Sequence, residues 1–181
     1  MNKKTIYIIV AILVIIIIAA AAAVVFMGNG GGEATPTPEP TALTVVDAST
    51  LQFDVAETTN GQVVNYAFAS KNVNTTTQVV RMDILGGEAG NFSYIIDIAA
   101  GTSFNSMDNG ATWTASTTGF AADSDYVVAF ADYQTNLVNW DGLSATYSFT
   151  TTETMPPAGR DIVISAIHVN PTLEDSLFAT S

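Results

Sequence analysis

The sequence predicts an α+β fold, mostly β, set outside a membrane by one N-terminal helix. Three observations predict it. Residues Ile6–Met27, IYIIVAILVIIIIAAAAAVVFM, run without a charge. From Leu51 onward, apolar and polar residues alternate with period two in a series of short runs. Between Val127 and Trp140 the apolar spacing changes to three and four, one face of a helix. A helix that interrupts a sheet must bury its apolar stripe on one face of that sheet.

The first element is the apolar segment at 6–27. At about 1.5 Å per residue it spans roughly 33 Å as a helix, enough for a hydrocarbon core of about 30 Å. Lys3 and Lys4 precede it and the next basic residue is Lys71. The excess of positive charge on the cytoplasmic side therefore assigns residues 1–5 to the cytoplasm and the rest of the chain to the exterior. Two readings remain. The segment is an uncleaved transmembrane anchor, or a signal peptide cut near the alanines Ala19–Ala23. Val24, Val25, Phe26 and Met27 carry the apolar run past those alanines, which favours the anchor. Both readings export the remainder of the chain and predict a cell-membrane location with an extracytoplasmic C-terminal domain. The absence of cysteine excludes a lipidated N-terminal cysteine and any disulfide.

Residues 28–41 read as a linker. GNGGG is flexible and ATPTPEPT favours extended polyproline II, so the stretch would hold a domain clear of the headgroups. The domain itself runs over 42–181. Leu51, Phe53 and Val55 form its first strand face. Asn60-Gly61 supplies a type I′ hairpin turn, because both residues tolerate positive φ. Val64, Tyr66 and Phe68 follow, then a polar loop over Lys71–Thr77. Next come Val80, Met82 and Ile84, then a break at Gly86-Gly87 and Gly90. Phe92, Tyr94, Ile96 and Ile98 form the strongest face. A segment from Thr102 to Thr114 turns at Asp108-Asn109-Gly110. Short connections make these a meander of five or six antiparallel strands. The helix carries Val127, Phe130, Tyr133, Leu137 and Trp140, with Asp123, Ser124 or Asp125 placed to cap it and Gly142 to end it. Two strands, around Tyr147 and over Asp161–Val169, close the domain across a Met155–Gly159 loop.

Composition narrows the function. Beyond the anchor the chain carries three basic residues against seventeen acidic ones. Such a surface disfavours nucleic acid and anionic lipid headgroups, and suits solubility. Ser106–Trp113 matches the S-x-D-x-G-x-T-W Asp-box that shapes turns in sialidase-like propellers. It occurs once, in a chain too short for a propeller, so it reads as a hairpin turn with Trp113 returning to the core. Asn74 and Asn91 begin N-x-[ST] sequons and are candidate glycosylation sites in an exported domain. His168 is the only histidine and lacks neighbours at metal-ligand spacing. No catalytic constellation, metal site, phosphate loop or dinucleotide fingerprint is present in the sequence, and no cofactor is expected.

The order of elements carries a family resemblance. Arg81-Met82-Asp83 lies on the third strand, Tyr94-Ile95-Ile96-Asp97 on the next, and Gly110-Ala111-Thr112-Trp113 precedes the helix. The chain then closes on Asn170-Pro171-Thr172-Leu173-Glu174-Asp175-Ser176-Leu177-Phe178. This resembles the lipoprotein-carrier superfamily, the LolA/LolB-like proteins and their mycobacterial lipoprotein relatives, with their R-x-D, I-I-D-G and N-x-x-L-x-D-S-L-F patterns. It departs from them in three places. Ile98 stands where a glycine follows Asp97, the long helix before the first strand is missing or shortened, and the anchor is a helix instead of a lipidated cysteine. The resemblance implies a curved antiparallel sheet, an unclosed barrel, with the helix packed on its concave face and an apolar cavity for a lipid or an acyl chain. Phe53, Val55, Tyr66, Phe68, Tyr94, Ile96, Val127, Phe130 and Leu137 are the candidate lining. The same residues could instead form a filled core, the more common outcome for such a sheet and helix. The sequence thus supports a membrane-anchored extracytoplasmic binding domain. The alternative is a structural or adhesive envelope module, and an exported enzyme ranks last.

Overall fold

Period-two alternation gives eight strands in one antiparallel sheet: β1 Thr50–Thr59, β2 Gln62–Lys71, β3 Val79–Gly87, β4 Gly90–Asp97, β5 Thr102–Ser106, β6 Thr114–Ala115, β7 Thr146–Thr150 and β8 Asp161–Val169. The computed structural model describes residues 43–180 apart from 88–89, 153–154 and 156–157. These fall within one unit, Pro40–Ser181. The n-region, the 6–27 segment and the 28–41 linker lie outside the described residues. Strand order is β6-β5-β4-β3-β2-β1-β8-β7. The first six strands are the expected meander. The β7–β8 hairpin then returns to pair β8 with β1, so the sheet is unclosed and bounded by β6 and β7. Asn60 and Gly61 have φ of 51° and 79°, the two positive values a type I′ turn requires.

Two helices separate β6 from β7: a single turn, α1 (Phe120–Asp123), and α2 (Asp125–Leu137). Phe130, Tyr133, Gln134 and Leu137 of α2 are buried. The three apolar or aromatic ones meet Leu51, Phe53 and Val55 of β1, Phe68 of β2, Val80 and Met82 of β3, and Ile162 and Ile164 of β8 in one hydrophobic core. Register explains the layer: Phe53 pairs with Phe68, Phe68 with Met82, and Met82 with Tyr94, so one row of side chains crosses four strands on the helix side. The ring centroid of Phe53 lies 5.4 Å from that of Phe68 and 5.4 Å from that of Phe130, stacked on the latter at 21°.

Three local expectations are corrected. No side-chain hydrogen bond caps α1 or α2. Ser124 instead donates to the Ala121 carbonyl at 2.8 Å, and Asp123 accepts from the Thr118 hydroxyl at 2.7 Å. Burial alone would raise the Asp123 carboxyl, but the surrounding hydroxyls of Ser116, Ser103 and Thr118 outweigh it and hold it below the usual range. The helix ends at Leu137, short of Trp140 and Gly142. There the N–H groups of Val138, Asn139 and Trp140 bond three residues back, to Thr135, Asn136 and Leu137, tightening the last turn. Trp113 does not enter the core. It is half-buried, with the Arg81 guanidinium 5.5 Å over its ring, on the face of the sheet away from α2.

The Asp-box does shape a turn. Asp108 accepts from the Ser106 hydroxyl at 2.7 Å, the Thr112 N–H at 2.8 Å and the Thr112 hydroxyl at 2.6 Å, while the Gly110 N–H donates to Ser106 Oγ at 2.8 Å. The Thr112 and Ser106 donors pull the Asp108 carboxyl down to about 2.

Core packing and this turn each set a measurable outcome. Phe53→Ala should cost about 3–5 kcal/mol in urea unfolding, whereas Val163→Ala on the exposed face should change stability by less than about 0.5 kcal/mol. A depressed folded-state pKa stabilises above the ordinary carboxylate range, and that contribution is lost as pH falls through the folded value. The stability gap between the natural chain and Asp108→Asn, followed by thermal melts, should therefore be full above about pH 4 and close toward pH 2.

Candidate functional site

The strand alternation of β1 continues one step past its apolar residues. Leu51, Phe53 and Val55 face α2, and the next residue in that register is Glu57, opposite Ile162 of β8. A carboxylate at that position needs partners. It has two: Arg160 Nη1 donates to Oε2 at 2.9 Å, and the Tyr133 hydroxyl donates to the same oxygen at 3.2 Å. The side chains of Glu57 and Arg160 are each 14% exposed. Strand β1, helix α2 and the lead-in to β8 thus meet at one polar node on the rim of the apolar core.

The node shifts its neighbours. Burial, reinforced by the Glu57 carboxylate, pushes the Tyr133 phenol far above its ordinary value. Burial and Glu57 also raise Tyr66, with Arg160 opposing them. Further along the helix face, burial and Tyr94 push Tyr126 up to about 12, the two rings lying 4.8 Å apart. Beside the node is an open hollow of about 580 Å³, walled by Asp125, Val128, Asp132, Tyr133, Met155 and Arg160. It combines an apolar floor with two carboxylates, and its guanidinium is already paired with Glu57.

The nine residues expected to line an apolar cavity divide between the core and its margin. Phe53, Val55, Phe68, Phe130 and Leu137 are buried in the core under α2. Tyr66, Tyr94 and Val127 pack half-buried against it. Ile96 is buried on β4, opposite Val80. None of the nine lines the 580 Å³ hollow. Both sequon asparagines are exposed. Asn74 lies on the β2–β3 loop with φ of 60°, while the Asn91 side chain accepts from Gly86 N–H at 2.8 Å and donates to Asn109 at 3.1 Å. His168 is exposed on β8, opposite Gln52. Among the described residues no group of three His, Cys, Asp or Glu side chains could hold a metal ion. No helix among them is long and apolar enough to cross a membrane.

The chain matches no protein-family model, no curated protein and no solved structure.

Glu57, Arg160 and the polar role of Tyr133 were not found from sequence. A signal for Glu57 was available, since it continues the odd-numbered register of Leu51, Phe53 and Val55. Arg160 lies 103 positions away, and nothing local announces their pairing. Removing either partner takes the opposite charge away from a nearly buried ion, so Glu57→Gln and Arg160→Met should each cost roughly 2–4 kcal/mol. The double variant should recover part of the loss, with a coupling of about 1–3 kcal/mol in a denaturation double-mutant cycle.

Proposed function

We propose that this chain is a membrane-anchored, extracytoplasmic surface module that acts through its outer surfaces and encloses no ligand. The tether reading rests on the uncharged 6–27 segment behind Lys3 and Lys4, and on the Gly/Thr/Pro stretch that separates it from the folded domain. One observation carries the solid-module reading. The rings that would wall an acyl-chain cavity fill it themselves, Phe53 lying 5.4 Å from both Phe68 and Phe130 and Phe68 lying 5.7 Å from Tyr133. Rings at those separations are in contact and leave no room for a chain between them.

A second reading, the lipid carrier, is supported by the arrangement of the parts. An unclosed antiparallel sheet lays one amphipathic helix over an apolar row, as the lipoprotein-carrier resemblance implies. That reading requires a curved sheet, a helix on its concave face, and a helix that lifts to admit the chain.

Two measurements on the full chain test these readings. In intact cells, added protease should remove the domain while residues before the anchor stay protected, and alkaline washing should leave the anchor in the membrane. A domain inaccessible from outside would end the tether reading. Native mass spectrometry from detergent should give the bare protein mass. A stoichiometric co-purifying lipid, lost on Phe68→Trp, would replace the solid module with the carrier.

A further inference from the structure

The face of the sheet turned away from α2 is crossed by a strap. At its start the chain is pinned. Asn170 Oδ1 accepts from the Ser49 N–H at 2.7 Å, the Ser49 hydroxyl at 3.0 Å and the Thr50 N–H at 3.3 Å, and the Thr50 hydroxyl donates to the Pro171 carbonyl at 2.8 Å. Beyond Pro171 the C-terminal segment leaves β8 and reaches β2 and β3, where a 3-10 turn spans Asp175–Phe178. Lys71 pairs with Asp175 at 3.1 Å and lies 4.8 Å over the Phe178 ring. Arg81 Nη1 donates to the Leu177 carbonyl at 2.9 Å.

The floor and its cover are built unequally. Ile95, on the floor, is 3% exposed. No residue of Asp175–Phe178 is buried, and the Asp175 side chain is 98% exposed. A cavity of about 160 Å³, lined by Val79, Ile95, Thr102, Phe104, Phe178 and Thr180 among others, remains beside the strap. Among the described residues the cover is held beyond Pro171 by one screened ion pair, one ring contact and one hydrogen bond, over an apolar patch that the sheet presents ready-made. Charge selects the occupant. The strap carries Glu174 and Asp175, in a chain where acidic residues dominate, and Lys71 and Arg81 are two of the three basic residues beyond the first five.

We propose that the groove formed by Lys71, Arg81, Val79, Ile95 and Phe104 is a receptor for this C-terminal segment, and that a second copy of the chain can seat its own Asp175–Thr180 there in exchange. Thr172–Glu174 form the hinge: three residues reach about 10 Å when extended, enough to redirect the strap without releasing Asn170. In cis the short hinge gives an effective concentration in the mM range, so exchange between copies needs crowding. Copies confined to one membrane supply it, and concentrated solution supplies it without the membrane reading. Because each copy gives one segment and takes another, reciprocal exchange closes a dimer and one-way exchange extends a chain of subunits.

The natural chain has no cysteine, which makes the test direct. Thr102 and Thr180 both line the 160 Å³ cavity. A full-length chain carrying Thr102→Cys and Thr180→Cys together should close an internal disulfide on mild oxidation. Chains carrying one substitution each, mixed at high concentration, should give a crosslinked dimer in a yield that rises with concentration. It should exceed the background set by replacing Thr102→Cys with Thr76→Cys on the exposed β2–β3 loop. Adding Asp175→Lys to the Thr102→Cys chain opposes its own strap to Lys71 and frees its groove, so the mixed yield should rise roughly two- to fivefold. Internal closure without mixed dimer above background overturns the proposal, as does a yield indifferent to Asp175→Lys. A double variant that never closes places the strap elsewhere and overturns it as well.

Discussion

The fold depends on the Phe53 ring held between Phe68 and Phe130. Strand β1 is the first strand of the described residues but an interior strand of the sheet, bonded to β2 on one side and to β8 on the other. Its neighbour β2 arrives through a two-residue turn, whereas β8 arrives more than a hundred residues later. Without β8 one edge of β1 has no partner and the core lacks Ile162 and Ile164. Phe53 joins near and distant parts of the chain, because its ring touches the local hairpin and the distant helix at once. With no disulfide available, this packing and the ladder bonds must hold the sheet together.

The described cations obey the same logic. Each one joins elements far apart in the chain. Arg160 ties the entry of β8 to β1 and α2 through Glu57, Arg81 ties β3 to the C-terminal segment and to Trp113, and Lys71 ties the end of β2 to Asp175. Their surroundings set their strengths. The Glu57–Arg160 pair is sheltered on the rim of the core and resists salt, whereas the Lys71–Asp175 pair is open to solvent and weakens with it. Ionic strength therefore loosens the outer strap while leaving the inner node in place.

Much of this was legible in the sequence, for identifiable reasons. Alternation located the meander because α2 covers one face of the sheet, while the other is largely wet outside the strap over Ile95. The three-four spacing located α2 because Phe130, Tyr133 and Leu137 share one stripe. Asn60-Gly61 announced its own turn. The features that escaped were long-range or non-periodic. The return of β8 beside β1 leaves no local trace. Its bulge leaves one: Ile162 and Ile164 fall on even positions, Ile167 and Val169 on odd ones, and the phase changes at Ala166, which takes φ of 50° opposite Phe53. The helix end at Leu137 was missed because apolar Val138 and Trp140 extend the pattern past the point where the backbone tightens. Periodicity located the apolar residues that pack in and around the core, whereas the Glu57–Arg160 node escaped it, because pairing across 103 positions is a property of the fold alone.

A filled core and an acyl-chain site are closer in energy than they look. Withdrawing Phe130, Tyr133 and Leu137 from the sheet costs about 2–3 kcal/mol each, roughly 6–9 in all. A sixteen-carbon chain brings roughly 12 kcal/mol at about 0.8 per methylene when fully buried. Hydrophobic burial alone does not hold the helix down against such a ligand. The polar contacts tip the balance. The Tyr133 hydroxyl bonds to Glu57, and Gln134 Nε2 donates to the Val45 carbonyl at 3.3 Å in a buried position. Lifting α2 would break both, a loss no acyl chain can offset with hydrogen bonds of its own. The node at Glu57 therefore reinforces what the packed rings begin, holding α2 on the sheet by polar contacts as well as by burial.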